Sequence, residues 1–127
     1  MGIVGSWTSI YIAVTVLAFF LFRHKYRNLR PHVEVVLKEQ LLDRIKEGAE
    51  IWDVRTEREW DIRPIKGSRQ ISHNQLQMPS PNVSVICVCN SGIRAQHAAE
   101  TLKKMGHEKS AWLKGTHLDC VEILNNR

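Results

Sequence analysis

The chain has 127 residues, of which 18 are basic and 13 acidic, giving a formal net charge of +5 at pH 7. This length leaves room for one folded domain, and the three cysteines have neither the paired CxxC spacing of a zinc site nor the even number of a disulfide framework. Four basic residues lie between Arg23 and Arg30, so the part from Pro31 onward carries 14 basic against 13 acidic residues. This near-neutral balance argues against a nucleic-acid-binding domain, and the cysteines indicate free thiols in a reducing compartment.

The N-terminal segment is long and apolar. From Ile3 to Phe22 it has 20 residues without a charged side chain, and as a helix it would be about 30 Å long, enough to cross the hydrocarbon core of a membrane. The basic residues follow the apolar run and no small-residue cleavage site comes after Phe22, which favours an anchor over a cleaved signal peptide. The basic cluster predicts that this end stays in the cytoplasm. We therefore predict a single transmembrane helix and a basic juxtamembrane segment in residues 1–30, and a cytoplasmic domain in residues 31–127.

Downstream of the anchor, short strands alternate with helices. Predicted strands lie at 33–36, 50–55, 68–71, 83–88 and 110–113, and a predicted helix follows the first, second, fourth and fifth of them. Gly48 is placed to end the first of these helices, and Thr56 and Glu59 have the spacing of a capping box that opens the second. Residues 72–82 are predicted as a connection with one helical turn around Gln75. This alternation predicts a parallel α/β sheet flanked by helices.

The most informative stretch is the end of the fourth predicted strand. Its apolar run, Val83 to Val88, is typical of a strand buried on both faces of a parallel sheet. It leads into a segment that we call the cysteine loop, Cys89-Asn90-Ser91-Gly92-Ile93-Arg94. Because a helix follows the loop, unpaired backbone N–H groups at its N-terminus favour an anion such as a thiolate, and Arg94 adds a positive charge. The sequence therefore predicts Cys89 as a nucleophile, whereas Cys87 lacks these features and is interpreted as a buried structural residue.

Three groups of residues occur in a recognisable order. They are Ile51-Trp52-Asp53-Val54-Arg55 followed by Glu59-Trp60, then the cysteine loop, and then the helix from Ala98 to Gly106 with the turn Trp112-Leu113-Lys114-Gly115. Together they resemble the motifs of the single-domain rhodaneses, a family of sulfurtransferases, and the likeness extends from Val33 to Leu124. The resemblance implies a rhodanese-like parallel sheet flanked by helices, preceded in this chain by one transmembrane helix.

The resemblance also implies a chemistry for the loop. Cys89 would take a sulfane sulfur from a small anionic donor such as thiosulfate, hold it as a persulfide, and pass it to a thiol or to cyanide. The implied substrate-binding residues are those that follow the cysteine, Asn90, Ser91, Gly92, Ile93 and Arg94. Their backbone N–H groups would hold the sulfur, much as an oxyanion hole holds an oxygen, and Arg94 would brace the loop and add positive potential. No metal and no cofactor are expected, and the tether makes a membrane protein a candidate partner.

Some positions depart from the family pattern and keep other functions open. Where the family has His-Ile-Pro-Gly-Ala, this chain has Pro64-Ile65-Lys66-Gly67-Ser68, and Thr116 replaces a second glycine after Gly115. These changes alter the rim of the pocket, which keeps open an interaction domain at the membrane. A cysteine-dependent phosphatase is a third alternative, because phosphatases of the same fold also use a loop from Cys to Arg. Their loops have five intervening residues, and the four here, Asn90 to Ile93, fit a sulfur better than a phosphate.

Other side chains near the motifs admit two interpretations. Lys114 and His117 flank the last turn, where they could meet an anionic substrate or lie in solvent. Cys120 could resolve the persulfide as a disulfide or be a buried helix thiol. Asp53 and Arg55 are interpreted as a structural charge pair, since such a pair at a strand end is ordinarily architectural.

Overall fold

The computed structural model describes residues 2–27 and 31–126. The chain divides into two units, Met1–Arg30 and Pro31–Arg127. Residues 28–30, the end of the predicted juxtamembrane segment, and Arg127 lie outside the described residues.

The described part of the first unit is one long helix. This helix, α1, spans Gly2–Arg27 and includes Ser6–Lys25, a stretch of 20 residues with a mean hydropathy of 1.5. Its length and composition are sufficient to cross a membrane, and a signal sequence would meet the same two conditions. The predicted apolar helix is therefore confirmed, while its insertion in a membrane and its orientation stay predictions.

The second unit is built on a five-stranded parallel sheet with strand order β1-β5-β4-β2-β3. The strands are β1 (Glu34–Leu37), β2 (Glu50–Asp53), β3 (Ser68–Gln70), β4 (Val85–Val88) and β5 (Ser110–Lys114). The helices are α2 (Leu41–Lys46), which follows a 3₁₀ turn at Lys38–Gln40, α3 (Glu57–Ile62), α4 (Ile93–Lys104) and α5 (His117–Asn125). The predicted parallel α/β sheet flanked by helices is confirmed.

The central strand β4 separates two layers of the core. Val85 and Cys87 pack in one layer with Ala98 and other residues of α4, and Cys89 extends this layer beyond the strand end. Ile86 and Val88, which point to the opposite face, pack in the second layer with the buried residues of α2 and α5. Both faces of the strand are covered, which explains why its sequence is apolar at every position.

Local sequence signals define the ends of several helices. The Thr56 capping box is present: the Glu59 backbone N–H donates to Thr56 Oγ1 at 3.2 Å, and the Thr56 N–H donates to Glu59 Oε1 at 3.3 Å. Gly48, with φ +99°, follows α2 as predicted. The stretch predicted as a connection with one helical turn around Gln75 is a connection that contains one hydrogen-bonded turn. This segment forms an isolated turn, in which the Gln75 N–H donates to Ser72 O at 2.8 Å, and no further helical bonds follow before the prolines.

A buried charge pair joins the end of β2 to the segment after α3. Arg55 donates to the Asp53 carboxylate through Nε at 2.9 Å and Nη2 at 2.7 Å, and Nη2 also donates to Arg63 O at 2.9 Å. The side chains are only 4% and 0% exposed. Because each charge is compensated inside the protein, the pair is architectural, as interpreted from the sequence.

Replacing Arg55 by Met should strongly destabilise the second unit, because it leaves the Asp53 carboxylate buried without its partner. We expect the free energy of unfolding to fall by about 3–5 kcal/mol. Urea denaturation of the full chain in detergent micelles, followed by tryptophan fluorescence, measures this change.

The matched control for this substitution is Arg69→Met on the neighbouring strand. The Arg69 side chain is 66% exposed and lies 4.0 Å from Glu50, so its loss should cost at most about 1 kcal/mol. Equal losses in the two variants would contradict a structural role for the buried pair.

Candidate active site

The cysteine loop lies at the carboxyl end of the central strand. Cys89 follows β4 directly, and Gly92 is the N-cap of α4. Open parallel sheets place their binding sites at this edge, where the strand ends and the following helix begins. Cys89 is 2% exposed, so its sulfur is largely shielded from water.

Two backbone N–H groups at the start of α4 donate hydrogen bonds to the Cys89 sulfur. The Gly92 N–H donates to Sγ at 3.0 Å and the Ala95 N–H at 3.4 Å. These N–H groups belong to the first turn, where the helix supplies no carbonyl partner, and their dipoles favour a negative charge on the sulfur. Within the described residues, Gly92 is the one member of the predicted set Asn90–Arg94 whose N–H contacts Sγ, and the contact from Ala95 was not predicted.

Gly92 is required by its backbone conformation and by its neighbours. Its φ is +92°, in the left-handed region that favours glycine. A Cβ at this position would lie 3.2 Å from Cζ3 of Trp112 and 3.7 Å from Leu113 O. The loop therefore packs tightly against the end of β5, and this packing fixes the N–H that points at Cys89.

A carboxylate on α3 holds both ends of the cysteine loop. Arg94 donates to Glu59 Oε1 through Nη1 at 2.8 Å and to Oε2 through Nη2 at 3.0 Å, and Asn90 Nδ2 donates to Oε2 at 2.9 Å. The hydrogen bonds from Arg94 contribute most to lowering the pKa of Glu59, from 4.5 to about 2. The same pairing raises the pKa of Arg94.

This arrangement shows how Arg94 takes part in the loop. The sequence predicted that Arg94 braces the loop and adds positive charge there, and in the structure its charge is paired with Glu59. Arg94 braces the loop, and the direct contacts to the sulfur are backbone N–H groups. The Glu59 contact was missed because Thr56 already gave this residue a local role, and a partner 35 residues away leaves no periodic signal.

Of the other predicted loop residues, Asn90 contacts Glu59 through its side chain, and Ser91 and Ile93 turn their side chains to solvent. Asn90 and Ser91 are exposed, and Ile93 is 66% exposed. The loop thus presents backbone groups to the sulfur and most of its side chains to the outside.

The two other cysteines are poor nucleophiles. Burial raises the pKa of both the Cys87 and the Cys120 thiol to about 12, so both remain protonated at neutral pH. The interpretation of Cys87 as a buried structural residue is therefore supported by its environment, and Cys120 has the surroundings of a buried helix thiol.

His117 lies inside the protein. Its Nε2 atom is 2.9 Å from Arg63 O, and the residue is 5% exposed. Burial lowers its pKa, and the nearby Arg55 charge acts in the same direction. His117 is therefore a neutral link between α5 and the segment after α3. Among the described residues, no cluster of three or more His, Cys, Asp or Glu side chains is arranged to hold a metal ion.

Comparison with known sequences identifies a family. A family model described as a rhodanese-like domain matches residues 37–116, more than half of the chain. No curated protein matches the sequence.

Several solved structures share the fold of the second unit. Reduced CoADR-RHD from Bacillus anthracis matches with a TM-score of 0.64 and 25% identity, over 75% of this chain and 18% of that one. A human single-domain sulfurtransferase matches with a TM-score of 0.63 and 17% identity, over 72% of this chain and 97% of that one. A Rhodopseudomonas palustris protein described as a possible tyrosine phosphatase matches with a TM-score of 0.56 and 23% identity, over 66% of this chain and 76% of that one. This chain therefore spans less than a fifth of the Bacillus anthracis protein, and the similarity concerns the fold.

Replacing Glu59 by Gln should reduce stability in a pH-dependent way. The pKa of Glu59 in the folded state is about 2 against an ordinary 4.5. Its contribution to stability is therefore present above the ordinary pKa and is lost as the pH falls toward the folded-state value. Urea denaturation of both proteins across this pH range should show the two free energies of unfolding converging as the pH falls.

The control for this prediction is Glu57→Gln, which removes an exposed carboxylate from the same first turn of α3. We expect it to change the free energy of unfolding little. If the difference in free energy of unfolding between the original protein and Glu59→Gln stays constant over the pH range, the prediction is contradicted, because the contribution of Glu59 then does not depend on its ionisation.

Proposed function

Because the chain belongs to the rhodanese-like family, we propose that it is a sulfurtransferase in which Cys89 carries the sulfur as a persulfide. The proposed donor is a small anion such as thiosulfate, and the proposed acceptor is a thiol or cyanide. The observation that carries the proposal is the pair of N–H contacts to Sγ from Gly92 and Ala95. Such contacts favour an anionic sulfur before the transfer and on the persulfide formed by it.

In the first proposed step, the Cys89 thiolate attacks the outer, sulfane sulfur of thiosulfate. A bond forms between Sγ and this sulfur, and the sulfur–sulfur bond of thiosulfate breaks. Its electron pair leaves with sulfite, so the dianion charge departs with the leaving group. Cys89 then carries a persulfide with a single negative charge, and the overall charge is unchanged.

In the second proposed step, an acceptor thiolate attacks the outer sulfur of the persulfide. The new sulfur–sulfur bond forms on the acceptor, and the electron pair of the broken bond returns to Sγ as the thiolate. With cyanide as the acceptor, the product is thiocyanate. The N–H groups of Gly92 and Ala95 suit both steps, because each step begins or ends with the charge on sulfur.

The size of the cysteine loop favours sulfur over phosphate. A phosphatase must surround a tetrahedral phosphate, and four residues between Cys89 and Arg94 leave a small loop. In addition, both terminal nitrogens of the Arg94 guanidinium, Nη1 and Nη2, donate to Glu59, whereas a phosphatase would need this guanidinium for the phosphate. The phosphatase is therefore the weaker alternative. A non-catalytic interaction domain remains the second candidate, supported by the altered rim from Pro64 to Ser68.

We also propose that α1 anchors the domain in a membrane, with residues 31–127 in the cytoplasm. The helix is apolar on all sides, and its own unit contains no second described element that could cover those side chains. Hydrocarbon is the environment in which such a helix is stable. The basic residues Arg23 and Lys25 at its C-terminal end support the cytoplasmic orientation.

Treatment with thiosulfate should add one sulfur atom to Cys89. Mass spectrometry of the full chain in detergent should detect this mass on the peptide that contains Cys89, and added cyanide should remove it and release thiocyanate. Cys89→Ala should gain no sulfur, whereas Cys87→Ala should still gain one because that thiol is buried and protonated.

Phosphate release from an aryl phosphate without thiocyanate formation would favour the phosphatase. A native protein that forms no persulfide with any donor would favour the interaction domain.

The anchor can be tested on membranes from cells that express the full chain. The protein should stay with the membrane after alkaline carbonate washing, and its intact mass should retain the N-terminal segment. Protease added to intact cells should leave the domain uncut. A mature chain that lacks residues up to Phe22 would identify a signal sequence, and digestion in intact cells would reverse the proposed orientation.

A further inference from the structure

The positive charge of the cysteine loop, on Arg94, is already paired with a carboxylate. Arg94 and Glu59 form a two-bond ion pair, and the buried charges at the end of β2, Asp53 and Arg55, also neutralise each other. A donor that carries two negative charges would gain little from charges that are compensated in this way. An anionic donor therefore calls for a positive group outside these pairs.

Lys114 and Cys89 lie at the carboxyl ends of two neighbouring strands, β5 and β4. The register of β4 and β5 pairs Cys87 with Trp112. The recorded pairs end there, and Cys89 and Lys114 each lie two residues beyond this last pair in their own segments. Side chains alternate along a strand, so Lys114 lies on the same face as Trp112, which packs against the layer that contains Cys89.

A second contact brings the loop to the same strand end. Gly92 lies so close to β5 that a Cβ on it would be 3.7 Å from Leu113 O, the carbonyl directly before Lys114. Lys114 is exposed, and within the described residues it forms no ion pair. The nearest carboxylate along the chain, Asp119, accepts the Thr116 N–H at 2.8 Å and lies 4.0 Å from Lys38.

We propose that Lys114 binds the anionic end of the sulfur donor while the sulfane sulfur meets Cys89, an inference that rests on the proposed sulfur transfer. His117, the other basic residue at this turn, is buried and bound to Arg63 O. A lysine suits the task because its ammonium is a compact charge on a flexible stem and needs no fixed geometry. In thiosulfate it would contact the sulfonate oxygens, which become the sulfite that leaves. The preferred donors are therefore those in which the sulfane sulfur is joined to an anionic group.

One test compares two alkylating agents of similar size, anionic iodoacetate and neutral iodoacetamide, on the full chain in detergent at low salt. The ratio of their rates at Cys89 cancels the intrinsic reactivity of the thiol and reports the attraction of the anion. We expect Lys114→Gln to lower this ratio by about fivefold, the effect of one unit charge about 4 Å from an anion in water. Lys114→Arg should preserve the ratio. The matched control is Lys109→Gln, just before the opposite end of the same strand, which should leave the ratio unchanged.

Steady-state kinetics provide the second test. Lys114→Gln should raise the KM for thiosulfate by about fivefold with a smaller change in kcat. An alkyl persulfide donor, which has no anionic group apart from its sulfane sulfur, should show no such difference. If the original protein transfers sulfur while Lys114→Gln and Lys109→Gln behave alike in both tests, the role of Lys114 is overturned and the proposed function stands. If the original protein forms no persulfide with either donor, the proposed function fails, and with it the role of Lys114 in sulfur transfer.

Discussion

The Glu59 carboxylate is the contact on which the geometry of the cysteine loop depends. It binds Asn90 near the start of the loop and Arg94 at its end, and the same residue caps the helix that carries it. The buried Arg55 secures the segment that follows this helix to the end of β2. The loop, α3 and the central sheet therefore form one connected polar network, and the backbone around Cys89 keeps its position because the members of that network are satisfied.

The features that depend on neighbouring residues could be predicted from the sequence. The apolar run of β4, the capping box of α3 and the parallel sheet all follow from short-range patterns. The contacts that define the site could not be predicted in the same way. The partner of Arg94 lies 35 residues earlier in the chain, and the contact from Ala95 arises from the orientation of the first helical turn. At Gln75 the sequence predicted one turn of helix within a connection, and the structure has one hydrogen-bonded turn there that no helix continues.

The site divides its electrostatic tasks between the backbone and the charged side chains. The charge on the sulfur is met by backbone dipoles, whose strength does not change with pH. The charged side chains of the network compensate each other, so they give rigidity and add little net field. The exposed cation at the end of β5 belongs to neither group. In the proposed function, stabilisation of the nucleophile and attraction of the donor are thus supplied by different parts of the protein.

The outward orientation of Ser91 and Ile93 has a consequence for how this loop can diverge. The groups that contact the sulfur come from the backbone of Gly92 and Ala95, and both exposed positions contribute side chains that the scaffold does not use. Substitutions at these two positions therefore leave the backbone contacts to the Cys89 sulfur in place while they change the surface that an incoming molecule meets. In the proposed function, the choice of acceptor can thus change independently of the groups that hold the sulfur.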